Sequence, residues 1–278
     1  MFGKLLKYDF RSMLKQFAFI WPAALVLALV NHFTVGGITL GVISSPDGAT
    51  NVYPVSTTAA GISMLVYVAI LIAMFVVALI FTIQRFYKGL LGDEGYLMHT
   101  LPVRTWQLIG SKLLCAVVTA FISVVVAILS VVLILPWDDQ IFREIFQGLR
   151  YVITHWSMGA IHAALALLEL CLFMMTSFAT GYLQLYLAMA IGHLANRNRI
   201  ACSVVAFIGL NTVINALLGR LLSPILDRVS DMIDGMGGMG MPNGFHTAVW
   251  LGIATELVFC AVHFAGTEFI LRRKLNLE

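Results

Sequence analysis

Six apolar runs limit what this chain can fold into: residues 17–36, 61–83, 113–136, 158–192, 200–222 and 247–271. Each reaches the roughly 20 residues a helix needs to cross the hydrocarbon core of a bilayer. The spacing predicts an all-α, polytopic membrane protein with six transmembrane helices. Composition agrees, because 60% of residues are hydrophobic and 11% charged, well outside the usual range of a soluble domain. No polar stretch is long enough to fold alone, so residues 1–278 read as a single membrane domain. The fourth run exceeds a simple crossing and is expected to tilt, to extend beyond the membrane, or to break near Gly181. Pro22 falls in the first turns of span one, where its missing N–H costs little.

Residues 1–16 precede any span and read as an amphipathic helix. Lys4, Lys7, Arg11 and Lys15 recur on one face, and Phe2, Leu5, Leu6, Phe10, Met13, Leu14 and Phe17 supply the other. Such a helix lies in the headgroup layer with its cations toward anionic lipid. A signal peptide is the rival, but no small-x-small cleavage site follows. Orientation comes from charge. With the N-terminus inside, the cytoplasmic side collects Lys4, Lys7, Arg11, Lys15, Arg85, Lys88, Arg104, Lys112, Arg197, Arg199, Arg272, Arg273 and Lys274. Only Arg143, Arg150, Arg220 and Arg228 fall on the other side, a positive-inside bias among the 17 lysines and arginines. Six spans then return the C-terminus to the cytoplasm.

On the outer side, residues 34–60 read as an extended loop rich in Gly, Ser, Thr and Pro. Residues 138–156 and 221–234 are amphipathic and are expected to lie flat on the membrane or to re-enter it. GMGGMGMPNG, at 235–244, reads as a hinge. Cys115, Cys171, Cys202 and Cys260 sit in apolar runs without metal-ligand spacing and read as small core residues.

Ionisable groups inside a bilayer need a reason. Glu169 and Glu256 are the clear cases, either lining a substrate path, relaying protons, or hydrogen-bonding a neighbouring helix. Glu268 sits a turn from Arg272 and is expected to pair there. Asn211 and Asn215 share a face of the fifth span, as interhelical glue or as part of a polar path. His162 and His263 read as core histidines without a metal partner. The chain lacks H-E-x-x-H, G-x-S-x-G and G-x-x-x-x-G-K-[ST], so hydrolytic and phosphate-cradling motifs are missing. Its basic and aromatic N-terminal stretch points to lipid, not to nucleic acid.

The largest polar island lies between spans two and three, over residues 84–112. It carries Arg85, Lys88, Asp93, Glu94, His99, Arg104 and Lys112. Its pattern predicts a helix leaving the membrane, a turn at Gly92, a short helix over Glu94 to His99, and a break at Pro102, whose predecessor Leu101 should be extended. Thr105 or Ser111 would begin the next helix. The alternatives are a solvated loop and a docking elbow.

RFYKGLLGDEGYLMHTLPVRTWQLIGSKLL, the opening FGKLLKYDFRSM and the ending ILRRKLNLE together resemble the membrane subunits of type-two ATP-binding-cassette exporters, especially the small stand-alone permeases of Gram-positive bacteria. The resemblance rests mainly on Gly92-Asp93-Glu94-Gly95-Tyr96-Leu97 and Thr100-Leu101-Pro102-Val103; His99 departs from an expected apolar or aromatic residue. It implies a coupling helix at Asp93, Glu94, Gly95, Tyr96, Leu97, Met98, His99, Thr100, Leu101, Pro102, Val103 and Arg104, seated on a separate ATPase. Tyr96, Leu97 and Leu101 would anchor it, with Glu94 and Arg104 on the rim. It also implies two ATPase subunits carrying the ATP and Mg, no cofactor on this chain, a second permease subunit as homodimer or related heterodimer, and a bacterial cytoplasmic membrane. The cargo would be amphipathic: an antimicrobial peptide, a lipid-like molecule or a drug. Two other readings stay open. One is a proton- or ion-coupled transporter using Glu169 and Glu256; the other is a non-transporting scaffold or sensor.

Overall fold

A computed structural model describes residues 2–40, 54–91, 104–134, 143–144, 146–148, 150, 160–195, 198–235 and 241–273. Six long helices make up nearly all of it: α1 (Phe2–Leu40), α2 (Pro54–Phe86), α3 (Thr105–Ile134), α4 (Ala160–Gly192), α5 (Arg199–Gly235) and α6 (Met241–Arg273). A five-residue π-helical turn, Tyr87–Leu91, continues α2. All six helices contain a stretch long and apolar enough to cross a membrane: Leu5–Phe33, Gly61–Leu91, Thr105–Ile134, Ala164–Gly192, Arg199–Arg220 and Phe245–Arg272. No strand occurs among the described residues.

Exposure is inverted relative to a soluble protein. Asn31, Ser111, Ser123, Ser130 and Thr267 are fully buried, whereas Leu65, Val205 and Ile200 are 72%, 69% and 75% exposed. Lipid solvates leucine well and serine poorly, so small polar residues turn inward as interhelical glue. The chain is a multi-pass membrane protein in its physics as well as its composition.

Several helices outrun the sequence expectation. The basic N-terminal stretch does not form a separate helix, because α1 continues unbroken into the first span. The reason is register: Met13, Phe17, Ala24, Ala28 and Asn31 are buried along one continuous stripe, spaced as one helix face requires. Lys7, Arg11 and Lys15 stay exposed. Pro22 consequently lies deep inside α1 rather than in its first turns. The loop expected over 34–60 shrinks from both ends, since 34–40 and 54–60 are helical and only 41–53 lie outside the described residues. Pro54 opens α2, where proline lacks nothing a helix start needs. No break occurs at Gly181; an interrupted backbone in lipid leaves polar groups unsatisfied, and one glycine does not compensate. Residues 221–234 continue α5, a helix of 37 residues and so about 55 Å long. Residues 241–244 of the expected hinge belong to α6, with Pro242 in its first turn; 236–240 lie outside the described residues. Most of 138–156 does too, and the described residues within it are helical.

The chain packs as two compact units. The first comprises Lys7–Phe81 and Val118–Ile145. There Trp21 donates its indole N–H to Ser123 Oγ at 3.1 Å, and Ser63 donates to Asn31 Oδ1 at 2.8 Å. The Tyr67 and Ser130 hydroxyls share a hydrogen bond of 2.8 Å, while Phe17 stacks on Trp21 and meets Phe81 edge-on. The second unit comprises Met1–Leu6, Thr82–Val117 and Phe146–Glu278. Its core gathers Phe86, Leu90, Leu91, Leu108, Ile109, Leu183, Tyr186, Met189 and Leu271. The Phe86 and Tyr186 rings stack at 3.9 Å, tilted by 8°.

Candidate functional site

Residues 92–103 lie outside the described residues, so the expected elbow from Asp93 through Glu94, Tyr96, Leu97, His99 and Leu101 to Val103 does too. Its two stems are described. Arg104 is exposed immediately before α3, and its carbonyl accepts the Gln107 N–H at 2.9 Å; Thr105, not Ser111, starts the helix. On the other stem, the π-helical turn buries Gly89, Leu90 and Leu91. Lys112, read from sequence as part of the polar island, is 5% exposed within α3. Its ammonium nitrogen lies 2.6 Å from where a Cβ on residue 89 would stand, so glycine there makes room for a buried cation. Both stems are therefore rooted in the core: Phe86, Leu90 and Leu91 on one side, Leu108 and Ile109 on the other, packed with Leu183, Tyr186 and Met189 of α4 and Leu271 of α6.

From that core a polar seam runs between α4 and α6. Its paired residues keep a sequence separation of 76 to 81 along its length, as only parallel helices can. At one end the buried Glu169 accepts the Trp250 indole N–H at 2.8 Å and pairs with His246 Nδ1 at 2.6 Å. Further along, Ser177 Oγ reaches Glu256 Oε1 at 3.5 Å, and Thr180 donates to the Glu256 carbonyl at 3.1 Å. Beyond it stand Gln184 and His263, 9% and 2% exposed; among the described residues neither Gln184 Nε2 nor His263 Nδ1 meets a hydrogen-bond partner. Two unanswered polar groups on one seam are unusual where lipid supplies no substitute partner.

Glu256 faces a cavity of about 300 Å³, which it shares with Ser177, Thr180, Thr255 and Gln184 and with the rings of Phe173 and Phe259. The wall thus combines one carboxylate, three hydroxyls, an amide and two aromatic faces, a set suited to a ligand with both apolar and polar parts. Glu169 does not line this cavity, and neither do Asn211 and Asn215; α5 contributes Ile214 and Leu218 instead. Both asparagines are exposed, and the Asn215 amide donates to the carbonyl and Oδ1 of Asn211. The four residues read as one path therefore occupy three places: a paired carboxylate, a cavity wall and an open helix face.

A second cavity, of about 430 Å³, lies among the last turn of α2, the end of α4 and the start of α5. Beside it His193 meets the Tyr87 ring at 5.5 Å. Burial, reinforced by the Arg199 charge, holds the His193 imidazole below its ordinary pKa. Among the described residues no three His, Cys, Asp or Glu side chains gather as metal ligands. Among the described residues no disulfide joins the cysteines, but only Cys115 is a core residue; Cys171 is exposed, and Cys202 and Cys260 are half-buried. Their placement follows helix phase, which an apolar run does not reveal.

Sequence reasoning missed His246, Trp250 and Gln184. His246 and Trp250 stand one turn apart, a spacing that offers two donors on one face; that pattern was the available signal. Comparison with protein-family models, characterised proteins and solved structures finds no match to this chain.

Proposed function

We propose that this chain is the membrane subunit of an ATP-binding-cassette exporter, with both termini in the cytoplasm and residues 93–104 docked on a separate ATPase. One observation carries the reading. Both stems of that loop are buried in the core that also holds the ends of α4 and α6, so a force on the loop reaches the helices bearing the Glu256 cavity. A merely solvated connection does not require such roots. ATP and Mg belong to two partner ATPases. A second permease subunit, identical or related, covers α5, which has no fully buried described side chain and carries Asn211 and Asn215 outward. The N-terminal cations Lys4, Lys7, Arg11 and Lys15 contact lipid headgroups, in a bacterial cytoplasmic membrane. An amphipathic cargo fits the mixed lining of the Glu256 cavity.

The test is co-purification with candidate ATPases. Glu94→Ala and Leu97→Ala should each weaken ATPase association and cut substrate-stimulated hydrolysis by about tenfold, on the scale of lost interface anchors. Wild-type association in both variants would remove the coupling assignment. The titratable seam of Glu169, His246, Glu256 and His263 supports a second reading, a proton-coupled transporter without an ATPase. Transport that survives ATP depletion and collapses with the proton gradient would select it.

A further inference from the structure

The 430 Å³ cavity between α2, α4 and α5 takes no part in the loop or in the polar seam. Its body is apolar, walled by Ile83, Met189, Val204 and Phe207. It sits at the ends of three candidate spans, which finish at Leu91 and Gly192 and begin at Arg199. Ile200 and Phe207 both line it, so it reaches roughly 10 Å along α5 at 1.5 Å per residue. Tyr87 and Ile200 are shared with a more open polar cavity lined also by Asn198 and Arg199. The two form one groove: apolar toward the membrane interior, cationic at the span ends.

Lys88 lines the apolar part and is exposed, and it has no ion pair among the described residues. Arg199 lines the mouth, and no acidic side chain lines either cavity among the described residues. His193 beside it is held below its ordinary pKa by burial and then by Arg199. The first backbone N–H groups of α5 stand at the same place and favour an anion in the same sense.

We propose that this groove binds one anionic phospholipid, with an acyl chain along Val204 and Phe207 and its phosphate at Lys88 and Arg199. Charge complementarity selects this occupant. A zwitterionic lipid gains little from two cations, and a wholly apolar cargo leaves both of them unanswered. A bound lipid here would join the loop-bearing end of α2 to the α4–α5 link. The inference stands apart from the ATPase reading, since it concerns retention of lipid by the resting protein.

The full-length chain, purified in detergent, is incubated with dioleoyl phosphatidylglycerol or dioleoyl phosphatidylcholine and examined by native mass spectrometry. Phosphatidylglycerol should be retained about tenfold better, and Lys88→Gln with Arg199→Gln should erase most of that preference, at the scale expected for two interfacial cations. Val204→Trp, at a half-exposed site where folding is not at stake, should fill the groove and release the lipid while both cations remain. Equal retention of the two lipids, or an unchanged preference in the double variant, would overturn the proposal. So would Val204→Trp altering subunit association but not lipid retention, because the groove would then belong to a second copy. Full competition by inorganic phosphate would reassign the mouth to a free anion.

Discussion

Gly192 shows how a single hydrogen atom sets the distance between two helices. A Cβ there would stand 1.9 Å from Ser203 Oγ, and also 2.5 and 2.6 Å from the Ser203 backbone nitrogen and Cα. A side chain can rotate away, but backbone cannot, so Gly192→Ala must push α5 off α4. A cost of about 1–3 kcal/mol is expected, read as a lower unfolding midpoint in detergent. Gly266→Ala is the control: its nearest neighbour is Leu187 Cδ1 at 3.1 Å, the end of a flexible side chain, and it should cost far less. Glu169 makes a second test at this scale. Glu169→Gln keeps an acceptor for the Trp250 indole, whereas Glu169→Leu removes the acceptor of that indole and the carboxylate beside His246. The leucine variant should be less stable by about 1–3 kcal/mol, the cost of losing a carboxylate acceptor where lipid supplies no substitute. Equal stability of the two would mean that the carboxylate does not hold the seam together.

Among the elements, the link from α4 to α5 carries a titration. His193 is held below its ordinary pKa by burial first and by Arg199 second, with the Tyr87 ring as its aromatic neighbour. The unfolded chain therefore binds this proton more readily than the folded one. Stability is intact above the unfolded value near 6.5 and falls as pH drops below it toward the folded value. Unfolding midpoints at pH 8 and pH 5 should differ more in the wild type than in His193→Gln; equal differences would refute the linkage. The spans themselves were legible in the sequence, because hydrophobic length is a local property. Helix continuity was not. Residues 2–16, 34–40, 54–60 and 221–234 carry charges, glycines or prolines that mark boundaries in water, but each extends a helix here. The seam was half legible: Glu169 and Glu256 stand out as charges in apolar runs. Of their partners, His246 and Trp250 show locally only as two donors one turn apart, and their pairing, like that of Ser177 and Thr180, follows from the parallel register of α4 and α6, which no local pattern encodes.

For the whole molecule, the proposed function depends on which side of the membrane residues 92–103 occupy. Positive charge gathers on that side, and the aqueous cost of translocating lysine and arginine sets orientation in chains of this kind. The buried Lys112 does not weaken the argument, since the bias among the remaining cations is wide. The loop should therefore face the cytoplasm, and residues 41–53 the exterior. Single cysteines report this directly once Cys115, Cys171, Cys202 and Cys260 are replaced by serine or alanine. His99→Cys should react with a membrane-impermeant maleimide in inside-out vesicles and stay unlabelled in intact cells, and Ser45→Cys should show the reverse. Labelling of both from one side would break the six-span count, because an odd number of crossings must separate them. Labelling of both with the sides exchanged would keep the helices but put residues 92–103 out of reach of any cytoplasmic ATPase, and the proposed coupling through the core of Phe86, Leu90 and Ile109 would fail.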